Sequence, residues 1–446
     1  MHASTIRRII KGFGANAYGQ LVNIIVHLCG VPVLLHFWGG RLYGEWLILS
    51  AIPVYLSMTD LGFAQSAGND MTQRVARGDL QGALAEFQSI GSLIVLCSVC
   101  GLAGVTALLT TTSFLDLLPL QMLSEEEAAW VIGLLAAEVC VTLNEGTLHA
   151  GFRASGGYAL HTAIDNTTRM VQHALLWATA AAGGGPVAGA GAFLGARSVA
   201  MPLTALLLVR KYPWIIIGVS HARWSDLGRL FRPAVANLAL PLAQSLNIQG
   251  MRLAVGSALG PVAVVIFTTL RTLARLILQA AAAIGHAAEP EMAAAYGSGD
   301  IRLLGRLHAR TTQLGTILAL ALAGILLWTG GRILAIWTSG NVTMNYPLFG
   351  WLVCGAVAST FWNSSLMALK AANEHLRAAI YFMAAAGLAV ALTGGMLAIT
   401  GRLADAGLVL LLMELSMTAY VVPAAGRLSC NGLIKQLLNP FRWTLR

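Results

Sequence analysis

Apolar residues along this chain fall into long windows separated by short polar or Gly/Pro-containing breaks. The windows lie near 13–37, 43–66, 88–112, 128–150, 159–182, 187–209, 233–254, 262–285, 308–330, 347–368, 377–399 and 405–426. Each is about the 20 residues that an α-helix needs to cross a bilayer, so the pattern predicts twelve transmembrane helices. The opening MHASTIRRIIKGFG runs into the first window without the small-residue exit of a cleaved signal peptide, and it reads as an uncleaved first span.

The chain also repeats itself at an offset of 221 residues. Asp70, Met71, Gly78, Asp79 and Leu80 after span 2 match Glu291, Met292, Gly299, Asp300 and Ile301 after span 8, and Arg8, Lys11 and Asn16 match Arg229, Arg232 and Asn237. Six spans per half give both halves the same orientation, which makes them parallel repeats about an axis along the membrane normal. The expected organisation is a six-helix bundle over 1–209, a linker over 210–232, a second six-helix bundle over 233–426 and a tail over 427–446.

Composition sharpens this. Of 446 residues 57% are hydrophobic and 11% charged, with a mean hydropathy of +0.71, whereas soluble domains carry about 25% charged residues. Forty-eight glycines suit helices that approach closely. With both termini inside, the cytoplasmic segments hold 20 Lys/Arg and the outer loops three, Arg41, Arg332 and Arg402, so the positive-inside rule sets the termini in the cytoplasm. The linker RKYPWIIIGVSHARWSDLGRLFRP and the tail NGLIKQLLNPFRWTLR combine basic and aromatic residues; they read either as surfaces lying on anionic membrane lipids or as ordinary positive-inside retention.

Five arginines remain in the spans. Arg252, at the outer end of span 7, can snorkel to the interface. Arg169, Arg197, Arg271 and Arg275 lie near the midplane, where an unpaired charge is costly, and so should face a protein-lined or watery interior. Arg271 and Arg275 are about 40° apart around their helix and about 6 Å apart along it. Two planar, permanently charged guanidinium groups on one face suit a diphosphate better than a single carboxylate; the alternative is a structural pair neutralised by a neighbouring acid. Arg169 and Arg197 join them as substrate-binding candidates, although Asp165 and Arg169, four residues apart, suit a local pair. Glu138 and Glu414 have no cation nearby in sequence and are candidates for H⁺ or Na⁺ coupling, while Glu45 and Asp60 sit near the ends of span 2 as interface or packing groups.

Pro32, Pro53, Pro202 and Pro241 interrupt spans and allow kinks. His27, His149, His161 and His173 make no metal spacing, and the six cysteines suggest neither a disulfide framework nor a zinc site. The nucleotide-site and hydrolase motifs are absent from the sequence, so no cofactor is expected beyond a coupling ion.

The stretch LYGEWLILSAIPVYLSMTDLGFAQSAGNDMT over 42–72 resembles the second span of bacterial polysaccharide-biosynthesis flippases, in Tyr43, Gly44 and Trp46, in Asp60, Leu61 and Gly62, and in Asn69. FTTLRTLARLILQ, followed by Pro290, Glu291 and the Gly-Asp pair at 299–300, is similar to the matching part of that family's second half. The resemblance implies an all-α integral membrane protein of the multidrug/oligosaccharidyl-lipid/polysaccharide exporter superfamily in a bacterial inner membrane. It implies a transporter rather than an enzyme, one that moves a polyprenyl-diphosphate-linked oligosaccharide to the periplasmic leaflet by alternating access. The implied partners are that cargo, membrane lipids and polysaccharide-assembly proteins, with no nucleic acid. Two rivals stand beside it. A drug/cation antiporter of the same superfamily would favour an acidic or aromatic cavity, and a membrane-embedded polymerase or ligase would favour an outer loop longer than TTSFLDLLPLQMLSEEE.

Overall fold

The computed structural model describes residues 3–59, 62–111, 114–223, 228, 238–372 and 374–428. Among these residues the chain is predominantly helical, without a strand. The helices are α1 (Ala3–Ala51), α2 (Phe63–Ala76), α3 (Leu80–Thr111), α4 (Glu125–Ala154), α5 (Tyr158–Ala181) and α6 (Pro186–Lys211). They continue as α7 (Met251–Leu259), α8 (Pro261–Gly297), α9 (Ile301–Trp337), α10 (Tyr346–Ala371), α11 (Leu376–Thr400) and α12 (Ala404–Leu428). A π-helical turn, Leu246–Gly250, leads into α7. The fold is that of an all-α, multi-pass membrane protein.

Eight stretches among the described residues are long and apolar enough to cross a membrane, and one of them, Gly14–Met58, holds two helices because Gly39 breaks α1 (φ 70°, ψ 173°). The expected spans outside this set are α4, α5 and the seventh. Of these, α4 carries Glu138 and Glu145, and α5 carries Asp165 and Arg169. The second span is not the single helix expected over 43–66. Pro53, which has no N–H to donate, opens the 3₁₀ turn Pro53–Met58, and helix resumes at Phe63 after Gly62 (φ 76°). Pro32 and Pro202, by contrast, sit inside continuous helices. Asp60 and Leu61 of the family motif lie outside the described residues, as do most of the linker beyond 223 and the tail from 429.

The internal repeat is visible in local geometry. Gly78 and Gly299 both have left-handed backbones (φ 81° and 77°). The N–H of Asp79 reaches the carbonyl of Arg74, and that of Asp300 reaches Ala295, at 3.0 and 2.9 Å. Each aspartate then accepts an N–H of the next helix, Gly82 for Asp79 (2.8 Å) and Leu303 for Asp300 (2.9 Å). The glycine ends one helix and the aspartate caps the next. Gly39 likewise has a counterpart 221 residues on, Gly260 (φ 82°, ψ 178°), so in both halves one glycine with positive φ turns the chain between the first two spans.

The chain divides into two compact units, Met1–Pro241 and Leu242–Arg446. In the first, α4 packs against α3 and α6; in the second, α10 packs against α8, α9 and α12. Near the first unit's α4, Tyr43 and Trp46 of the motif are buried, and Trp46 meets Trp38 and Phe193 edge to face. Glu45, fully buried, accepts the N–H groups of Gln121 (2.7 Å), Met122 (2.7 Å) and Leu123 (2.9 Å). It thereby holds the approach to α4, which starts at a reciprocal Ser124–Glu127 capping box.

Candidate functional site

In the second unit, α8 sets Arg271 and Arg275 into one cavity of about 160 Å³, shared with Asn247, Ser359, Trp362, Asn363 and Glu414. A water occupies about 30 Å³ of liquid, so the space suits roughly five waters or a small anionic headgroup. The two arginines are brought together as their spacing requires, but they are not equivalent. Arg271 donates Nη1 to the backbone carbonyl of Asn247 (2.9 Å) and Nη2 to its Oδ1 (2.8 Å), and its guanidinium lies 5.6 Å from the centre of the Phe267 ring. Asn247 belongs to the π-helical turn, where a widened turn leaves a carbonyl available to an outside donor. Arg275 keeps accessible surface in the cavity, and among the described residues its guanidinium has no hydrogen-bond or ion-pair partner.

Glu414 on α12 is not remote from cations, as its place in the sequence suggested. It lines the same cavity as both arginines, and its Oε2 accepts the indole N–H of Trp362 at 2.6 Å.

The first unit holds a different cluster. Arg197 of α6 is buried and its Nη1 reaches Glu145 (2.6 Å) and Asp165 (2.8 Å). Its Nε donates to Thr142 (3.0 Å) and lies 3.6 Å from Glu138. Glu138 therefore has a cation beside it, one distant in sequence, and it also accepts from Thr142 (3.0 Å) and Gln172 (2.8 Å). Asp165 turns to Arg197, leaving Arg169 to donate to Asn23 of α1 at 3.0 Å. The expected Asp165–Arg169 pair thus gives way to a longer-range one, because α6 supplies a fully enclosed guanidinium. Of the motif residues, Gly62 opens α2, Asn69 is exposed, and Glu291 is exposed at the far end of α8; Pro290 lies in that helix and its side chain is outside the described ones.

Sequence reasoning missed Asn247, Trp362 and Gln172, which hold the charged groups in place. Their signal was polar side chains inside apolar windows, SLNIQG at 245–250 and WNSS at 362–365, and such residues face protein interiors in membranes.

No family model matches the chain, and no curated protein matches it. Its fold does match solved structures. An inward-facing multidrug resistance MATE family transporter of the MOP superfamily is 15% identical over 92% of this chain and 99% of its own, with a TM-score of 0.72. The outward-facing conformation of such a transporter gives 15%, 96%, 94% and 0.59. A MOP superfamily transporter from Pyrococcus furiosus, described as having a binding pocket of reverse polarity that suggests a different function, gives 13%, 95%, 94% and 0.59. At these identities the likeness shows the fold.

Proposed function

We propose that this chain, built on the fold of those transporters, moves a polyprenyl-diphosphate-linked oligosaccharide across a bacterial inner membrane by alternating access. The observation that carries the reading is Arg275, an uncommitted guanidinium beside an oriented one in a cavity of headgroup size. Leaving such a charge unpaired in a membrane span is costly, and an anionic ligand offsets that cost. Guanidinium holds phosphate oxygens in pairs, while the oligosaccharide and the lipid tail need no charge from the protein. A relative whose pocket is described as reversed in polarity supports the idea that this fold accepts ligands of different charge. The test is rescue of surface polysaccharide in a strain lacking the protein, with membrane levels checked. Arg271→Glu, Arg275→Glu should abolish rescue, and normal polysaccharide from a well-expressed double variant would sink the reading.

A second reading, a cation-coupled drug antiporter, rests on the first unit, where Glu138, Glu145 and Asp165 surround one arginine. It expects drug resistance, unaffected by the α8 arginines and lost with Glu138→Gln.

A further inference from the structure

We infer that Glu414 is the built-in counter-ion of the second-unit cavity, and that a diphosphate binds there together with one proton that neutralises this carboxylate. The inference rests on the anion-site reading and adds how binding is regulated. In this cavity Glu414 lies within electrostatic reach of Arg271 and Arg275 without contacting either within salt-bridge distance, and Trp362 holds its Oε2 at 2.6 Å. As a carboxylate it balances one of the two guanidinium groups that share its cavity. A diphosphate entering the same space brings at least two negative charges to those arginines, and an ionised Glu414 beside it would be a like charge in a low-dielectric site. Protonation removes that repulsion.

The surroundings leave no other group for the role. From α8 the charged groups facing the carboxylate are Arg271 and Arg275, and α7 contributes Arg252, which acts on Arg271 and donates to Gln249 at 3.0 Å. The helices packed on α12 present the Trp362 indole and the Ser359 hydroxyl from α10, both hydrogen-bond partners of the carboxylate, and from α11 the Tyr381 ring, stacked on Tyr420 4.2 Å away. No charge but the carboxylate's own opposes an anion there, among the described residues.

The sign follows from linkage. If the bound anion favours the neutral acid, affinity rises as pH falls, and a change of tenfold corresponds to one unit of displacement in the acid's titration. The experiment is calorimetric titration of the purified full chain in detergent with inorganic pyrophosphate, and separately with farnesyl diphosphate, between pH 5.5 and 8.5. Wild type should gain at least tenfold in affinity towards acid over and above the change seen in Glu414→Gln, which retains only the ligand's own titration. Glu414→Gln should also match or exceed the wild-type affinity at pH 5.5. Trp362→Phe, which loses the hydrogen bond to the carboxylate, should move the wild-type profile to higher pH, and it keeps the idea testable if Glu414→Gln folds poorly. Tighter binding of farnesyl diphosphate than of pyrophosphate identifies a lipid-borne ligand, and equal binding a free one; the proton linkage is expected with both. If the wild type binds and Arg271→Glu, Arg275→Glu does not, but Glu414→Gln keeps the wild-type profile, the counter-ion role fails and the anion site stands. Absence of binding by wild type at every pH overturns both.

Discussion

Arg197 and Arg275 are both guanidinium groups inside spans, yet their surroundings assign them opposite energetic roles. Arg197 meets three carboxylates and a threonine, and removing one partner of a buried pair leaves the others uncompensated, at about 3–5 kcal/mol. Arg197→Ala should therefore lower the melting temperature in detergent strongly. Arg275→Ala removes a charge that has no hydrogen bond or salt bridge among the described residues, and should leave the melting temperature unchanged or higher while abolishing diphosphate binding. Equal thermal losses in the two variants would contradict this division. Glu45 belongs with Arg197. Its carboxylate accepts three amide N–H groups, charge-assisted bonds of about 1.5–3 kcal/mol each, so Glu45→Ala should cost at least one such bond in an unfolding titration and Glu45→Gln less.

At the scale of elements, the helix ends carry the pH response. Asp79 is held below the ordinary carboxylate range first by the N–H of Gly82 and then by Arg74, and Glu127 first by the backbone N–H of Ser124 and then by its hydroxyl. Both are depressed in the folded state, so their contribution is complete above the unfolded value and fades as pH falls through the lower folded one. Hydrogen exchange at the starts of α3 and α4 should accelerate below about pH 4, with Asp79→Asn removing the acid dependence at α3 alone. Gly82 adds a steric constraint, because a methyl group there would meet Asp79 Oδ2 and Arg74 Nη1; Gly82→Ala should loosen that cap at every pH. The Gly-Asp turns were legible in the sequence because a left-handed glycine followed by a capping aspartate leaves a residue-type signature at fixed spacing. Gly39 and Gly260 left no such trace: lone glycines among 48 look alike until the backbone shows which ones have positive φ.

For the whole molecule, the hydrophobic windows coincide with all eight stretches that are long and apolar enough to cross a membrane among the described residues, since a bilayer demands about 20 apolar residues wherever the chain crosses. They failed at 52–62, where Pro53 and Gly62 split a window that hydropathy alone joins. The charged sites were half legible. Spacing along α8 put Arg271 and Arg275 on one face, but the pairing of Arg197 with Glu138, Glu145 and Asp165 joins three helices and has no local signature. Orientation remains a prediction of charge asymmetry. A cysteine replacing Ser220, exposed beyond α6, should be shielded from an impermeant thiol reagent in intact cells and labelled after lysis, in a background lacking the native cysteines; labelling from outside would reverse the topology.

The positive-φ glycines at 39 and 260 also decide where the protein can be handled. At each, one non-helical residue separates two helices, so neither site offers a loop tip of the kind that proteases nick and that accepts inserted sequence. Epitope tags placed after Gly39 or Gly260 should abolish expression, whereas the exposed turn at 339–341 between α9 and α10 has room for one. An antibody raised against the external face would then find its peptide epitopes near α10 rather than at the joints that open each half.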